Sequence, residues 1–126
     1  MYRYLLVAAG SALGGMARYF FSGVVQHVLG PTFPYGTLAV NLVGCFMVGA
    51  FMTAFESRLS APPEVRIFFV VGILGGFTTF SAFGYETDAL LQGGEANLAL
   101  WNVVANVGLG LAAVALGRAI VLAIGL

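Results

Sequence analysis

"GGFTTFSAFGY", residues 75–85, is the stretch on which the reading of this chain turns. It lies inside an apolar segment of membrane-helix length, yet it carries two adjacent glycines, two threonines, a serine, and phenylalanines at 77, 80 and 83. Gly75 and Gly76 weaken a helix, and the β-branched pair Thr78 and Thr79 weakens it again, so local unwinding is expected near the middle of the segment. Irregular backbone at membrane depth persists only where protein or a water-filled cavity surrounds it. Two readings follow. In one, the stretch is a kink whose hydroxyls bond back to the preceding turn. In the other, it is a broken helix whose freed carbonyl oxygens bind a cation and whose new N-terminus attracts an anion.

The rest of the chain supplies the surroundings. Of 126 residues, 60% are hydrophobic and 8% charged, and the mean hydropathy is +1.00; a soluble domain carries roughly 25% charged residues. Four apolar segments, at about residues 3–28, 35–55, 64–91 and 97–124, take up most of the length. The expectation is an all-α membrane protein: a single four-helix transmembrane domain over residues 1–126, with a break in the third helix. Gly30, Pro31 and Pro34 stop the first helix, Pro62 and Pro63 precede the third, and QGGE ends it. Glu64 suits the positive end of the third helix dipole. The short connections make neighbouring helices antiparallel and put both termini on one side. Arg3, Arg58 and Arg66 mark that side as cytoplasmic by the positive-inside rule.

Charge and cysteine usage exclude several functions. Five basic and five acidic residues cancel, which gives no electrostatic basis for binding nucleic acid or an anionic lipid surface. Cys45, the only cysteine, rules out an intrachain disulfide and a multi-cysteine metal site and reads as a small packing residue. The start MYRYLLVAAGSALGG has the basic head and small residues of a leader, but the apolar pattern continues past Arg18, so a retained span is expected. Enzyme chemistry finds no support, because the acids fall at span ends and no nucleophile elbow or Cys/His cluster is present.

Glycine spacing supplies a packing rule. Gly10 and Gly14, Ser11 and Gly15, and Gly72 and Gly76 lie four apart, while Gly44 with Gly49 and Gly108 with Gly117 add further small surfaces. Lipid offers no hydrophobic drive for helix association, so close backbone approach at such residues must supply much of it. Four thin helices enclose no roomy cavity, which makes a homo-oligomer the natural expectation.

Polar groups inside the spans mark where function lies. Thr37 and Asn41, four apart, project from one face of the second helix. An amide in hydrocarbon needs a partner or water, and Asn41 reads either as interhelical glue or as part of a polar track. Asn102 and Asn106 repeat the spacing on the fourth helix and favour the track. Phe80 and Phe83 are three apart and on helical spacing share a face with Gly76. Their rings suit lipid or core contact, or an anion at the positive ring edge. Arg18 is deep enough to snorkel, to pair with Glu86 or Asp88, or to concentrate anions at a vestibule. Arg118, His27, Trp101, Tyr2 and Tyr4 suit the membrane boundary.

Taken together, "GGFTTFSAF" at 75–83, "GTLAVNLVG" at 36–44 and "GSALGGMARY" at 10–19 resemble the signatures of the bacterial fluoride channel family, Fluc, also called CrcB. The resemblance covers nearly the whole chain in length, spans, loop positions and motif order, and the third-helix motif is the specific one. It implies an antiparallel, dual-topology homodimer in the bacterial inner membrane, with two fluoride pathways and a structural sodium ion at the dimer interface. By that resemblance the backbone carbonyls of Gly75 and Thr78 from both subunits hold the sodium. Phe80 and Phe83 turn their ring edges to fluoride, Asn41 donates its amide to the ion, and Thr37, Thr79 and Ser81 add hydroxyls along the route. Arg18 matches the family's first-helix arginine.

The chain departs from the family pattern at Ala82, where threonine is frequent, and at Asn106, where an amide stands for a helix-four serine. The arginine bias is also in tension with dual topology, which calls for balanced ends. The chemistry is nonetheless apt: a small, strongly hydrated anion needs directed donors rather than a ring of fixed cations, and carbonyl oxygens suit a hard cation. A competing reading, a small multidrug-type proton-coupled exporter, requires a membrane-embedded carboxylate that the first helix lacks. A purely structural membrane subunit requires Asn41 and the 75–83 break to be mere packing.

Overall fold

The protein is described from a computed structural model covering residues 1–57 and 60–125. Among these residues every regular element is helical. Helix α1 spans Tyr2–Leu29 and α2 spans Tyr35–Ser57. The third membrane-length segment, Pro63–Gln92, is interrupted. Its first half, α3 (63–77), opens at Pro63, passes through wide π-type turns over Ile67–Leu74 and ends at Phe77. Its second half is α4, Phe80–Gln92. Helix α5, Ala96–Ala123, also contains a π-type stretch, Ala105–Leu109. All four segments are long and apolar enough to cross a membrane, which makes this a multi-pass membrane protein.

Two glycine seams set the packing. On α1, a Cβ at Gly10 would lie 2.6 Å from the Phe68 carbonyl oxygen and one at Gly14 would lie 2.0 Å from that of Ile73. Across the seam, Gly72 abuts Gly10, and Gly76 abuts the Ser11 backbone. The small-residue spacing therefore joins α1 to α3 backbone to backbone. The second seam joins α2 to α5, where Gly49 faces the Val114 carbonyl and Gly117 faces that of Phe46. Gly15 and Gly108, expected to serve the same purpose, have open space where a Cβ would stand.

The ends are tied by polar groups. Tyr2 and Arg3 at the start of α1 reach the Glu64 carboxylate at the start of α3, Arg3 at 3.6 Å, so two segment starts meet at one end of the bundle. At the other end, Gln26 organises the α1–α2 connection. Its Nε2 donates to the carbonyls of Gly30 at 2.7 Å and Phe33 at 2.8 Å, while its Oε1 accepts from the Gly36 N–H at 3.0 Å. Arg58, one of the three arginines in the orientation argument, lies outside the described residues.

Candidate functional site

The site is built on the interruption between α3 and α4. Thr78 (φ −89°, ψ 157°) and Thr79 (φ −148°, ψ 117°) are extended. Thr79 caps α4, its Oγ1 accepting from the Ala82 N–H at 3.2 Å, and it lies 3.3 Å from Ser81 Oγ. The Thr78 hydroxyl bonds back to the Leu74 carbonyl at 3.1 Å. Both readings of the motif therefore hold in part: a hydroxyl satisfies the preceding turn, and the backbone also opens.

The opening has a definite consequence for carbonyls. In a continuous helix the N–H groups of Thr79 and Ala82 would bond to the carbonyls of Gly75 and Thr78. Here the Thr79 N–H goes to Asn41 Oδ1 at 2.8 Å and the Ala82 N–H to Thr79 Oγ1. Between them, the Gly76 carbonyl takes a charge-assisted bond from Arg18 Nε at 2.9 Å. Of the roles expected for Arg18, pairing with Glu86 or Asp88 is not seen among the described residues, and the guanidinium bonds the backbone instead. Its partner is the end of α3, where a cation complements the helix dipole.

Asn41 grips the break from α2. Its Oδ1 accepts from the Thr79 N–H, and its Nδ2 donates to the Thr79 carbonyl at 3.1 Å and to Asn106 Oδ1 at 3.0 Å. Asn106 Nδ2 in turn donates to the Asn102 carbonyl at 2.9 Å and to Asn102 Oδ1 at 3.0 Å. Asn102, 1% exposed, donates to Thr87 Oγ1 at 2.9 Å, and that hydroxyl donates to the Phe83 carbonyl at 2.7 Å. The amides recognised separately in the sequence are thus one connected set running from α2 through α5 to α4.

A groove of about 320 Å³ runs along the Asn41–Asn106 end of this set, lined by Asn41, Thr78, Thr79, Phe80, Phe83 and Asn106, among others. Phe80 is 82% exposed and Phe83 only 8%, their ring centroids 5.4 Å apart and their planes inclined at 60°. The face expected to join Phe80 with Gly76 does not form, because helical spacing fails across two extended residues. Phe77 is buried edge-on against Phe21. Gly44 seats the Thr78 methyl so closely that a Cβ there would lie 2.2 Å from it.

The remaining residues of interest lie beside the groove. Gly75 is exposed at the end of α3, and Ser81 is exposed next to Thr79. Thr37 is buried one turn before Asn41, in the neighbourhood of the Glu86 carboxylate. One oxygen of that carboxylate, Oε1, is shielded and makes no hydrogen bond among the described residues. Glu86 borders a depression of about 410 Å³ with Gln26, Thr32 and Glu95. Sequence reasoning missed Thr87 and Gln26. Thr87 stands four residues after Phe83 on α4, a polar position on the face where a phenylalanine was already singled out.

Comparison with known proteins shows the family. The family described as "CrcB-like protein, Camphor Resistance (CrcB)" matches residues 5–118. A protein of Rhizobium leguminosarum bv. trifolii named "Fluoride-specific ion channel FluC" is 45% identical over 98% of this chain and 99% of its own length. Proteins of the same name from Thermus thermophilus and Paramagnetospirillum magneticum are 51% and 48% identical, over 88% of each chain and 94% of each chain respectively. With its membrane-length helices, its interrupted third segment and a family match along almost its whole length, the chain belongs to the CrcB-like family.

Proposed function

We propose that this protein is a fluoride-selective channel that lets fluoride leave the cell passively, down its electrochemical gradient, across the bacterial inner membrane. The similarity to relatives named fluoride-specific channels along nearly the entire chain carries this reading. The site supports it. Amide and hydroxyl donors and two adjacent phenylalanine rings border one groove, and directed neutral donors exchange a hydrated anion without trapping it as a ring of fixed cations would. In this reading Phe80 and Phe83 present ring edges to fluoride, Asn41 donates to it, and Thr37, Thr79 and Ser81 extend the polar route. Because both Nδ2 protons of Asn41 are engaged, a passing fluoride takes one of them in exchange for Asn106 Oδ1 or the Thr79 carbonyl.

The assembly proposed is an antiparallel, dual-topology homodimer. A groove open on one side, with Phe80 largely exposed, suits completion by a second copy. The carbonyls of Gly75 and Thr78, released from the helical ladder, suit a structural sodium ion shared between two copies; its charge would raise the local attraction for an anion without a titratable side chain. The deciding experiment is ion efflux from liposomes containing purified protein. Fluoride efflux without comparable chloride efflux is expected; absent fluoride efflux, or equal chloride efflux, contradicts the reading. Replacing sodium on both sides with a large organic cation is expected to depress the fluoride flux, and an unchanged flux would remove the sodium.

A further inference from the structure

The amide set has a direction, and that direction is fixed at both ends by backbone groups. The Thr79 N–H can only donate, so it forces Oδ1 of Asn41 towards itself and Nδ2 towards Asn106. The Asn102 carbonyl can only accept, so it forces Nδ2 of Asn106 towards itself and Oδ1 towards Asn41. Asn102 then presents Oδ1 to Asn106 and Nδ2 to Thr87, whose proton goes to the Phe83 carbonyl. Four side chains donate in sequence, Asn41 to Asn106 to Asn102 to Thr87. Turning any one amide over would set donor against donor or acceptor against acceptor in a region of low dielectric.

We propose that Asn102, through Asn106, is a positioning residue for Asn41 and the 78–79 break, and that Thr87 ties the same relay to the backbone at Phe83. Asn102 is almost fully buried and does not border the groove, so it acts on that groove through its neighbours. The relay links Thr79, where the helix opens, to the backbone at Phe83 one turn into α4, beside the cap that Thr79 itself makes to Ala82. Its bearing on ion flux rests on the channel reading; its bearing on the break does not.

The test follows hydrogen exchange of the Thr79 amide in purified protein labelled with 15N-threonine, a readout independent of conduction. Asn106→Leu should speed Thr79 exchange by about tenfold and Asn102→Leu by about fivefold. The double variant should go no faster than Asn106→Leu alone, because Asn102 acts only through Asn106. Unchanged exchange in Asn102→Leu, or a double variant equal to the product of the two single effects, overturns the proposal. If Asn102→Leu does not fold, Asn102→Ala reads the same link: it takes away the Oδ1 acceptor of Asn106 and should speed Thr79 exchange severalfold, and exchange at the parental rate overturns the proposal. Fluoride efflux should fall severalfold in Asn102→Leu. If the parent itself passes no fluoride, the channel reading fails while the exchange result still decides the relay.

Discussion

The two sides of the third segment are held by opposite means. Towards α1, α3 is fixed by shape: glycine backbones meet glycine backbones, and the critical distances leave no room for a methyl group. Towards α2 and α5, the break and α4 are fixed by direction, through Asn41, Asn106, Asn102 and Thr87. A seam of shape tolerates no added volume and needs few polar side chains in the membrane. A relay of amides adds little volume constraint but requires every donor to find its acceptor. The difference places rigidity on one side of the segment and ion-compatible chemistry on the other, with Arg18 reaching from α1 across to the Gly76 carbonyl where the two meet.

Substitutions separate the two modes. The largest loss is expected at the shape seam: Gly14→Ala forces a Cβ to 2.0 Å from the Ile73 carbonyl and should destabilise by about 3 kcal/mol or more, read as a shift in thermal or denaturant unfolding in detergent. Asn41→Leu removes three hydrogen bonds and strands the Thr79 N–H, for an expected loss of about 2–3 kcal/mol; a change within experimental error would show that the relay does not hold the break. Arg18→Met leaves the Gly76 carbonyl without its charged donor and should lower stability by about 1.5 kcal/mol. Gly15→Ala, facing open space, should change stability by no more than about 1 kcal/mol and in the stabilising direction. If Gly14→Ala and Gly15→Ala behave alike, the seam is not where the distances put it.

Much of this architecture was legible in the sequence because membranes simplify the problem. Apolar runs bounded by proline and glycine gave the four segments, and the glycine and threonine pairs gave the break. Small residues four apart marked the surfaces that meet in the α1–α3 seam, though not which helices they would join, since lipid leaves few other ways to hold helices together. What was not legible depends on the break's own geometry. Once Thr78 and Thr79 extend, residue spacing across them no longer reports a shared face, so the grouping of Phe80 with Gly76 failed. The partner of Arg18 was not legible for a related reason: its acceptor is a backbone carbonyl, and no side-chain pattern announces one. Asn102 and Asn106 were legible as a pair, but their order and direction are set by Thr79 and Thr87 in three dimensions.

The central claim is that the interruption turns Phe80 and its neighbours into one ion route, and fluoride efflux from liposomes containing Phe80→Ile tests it most directly. Within one chain Phe80 is so exposed that the substitution should leave that chain's own stability within about 0.5 kcal/mol of the parent. An intact protein whose fluoride efflux is reduced by at least about tenfold, equivalent to about 1.4 kcal/mol on the barrier, is expected; an intact protein conducting fluoride at the parental rate would contradict that role for Phe80.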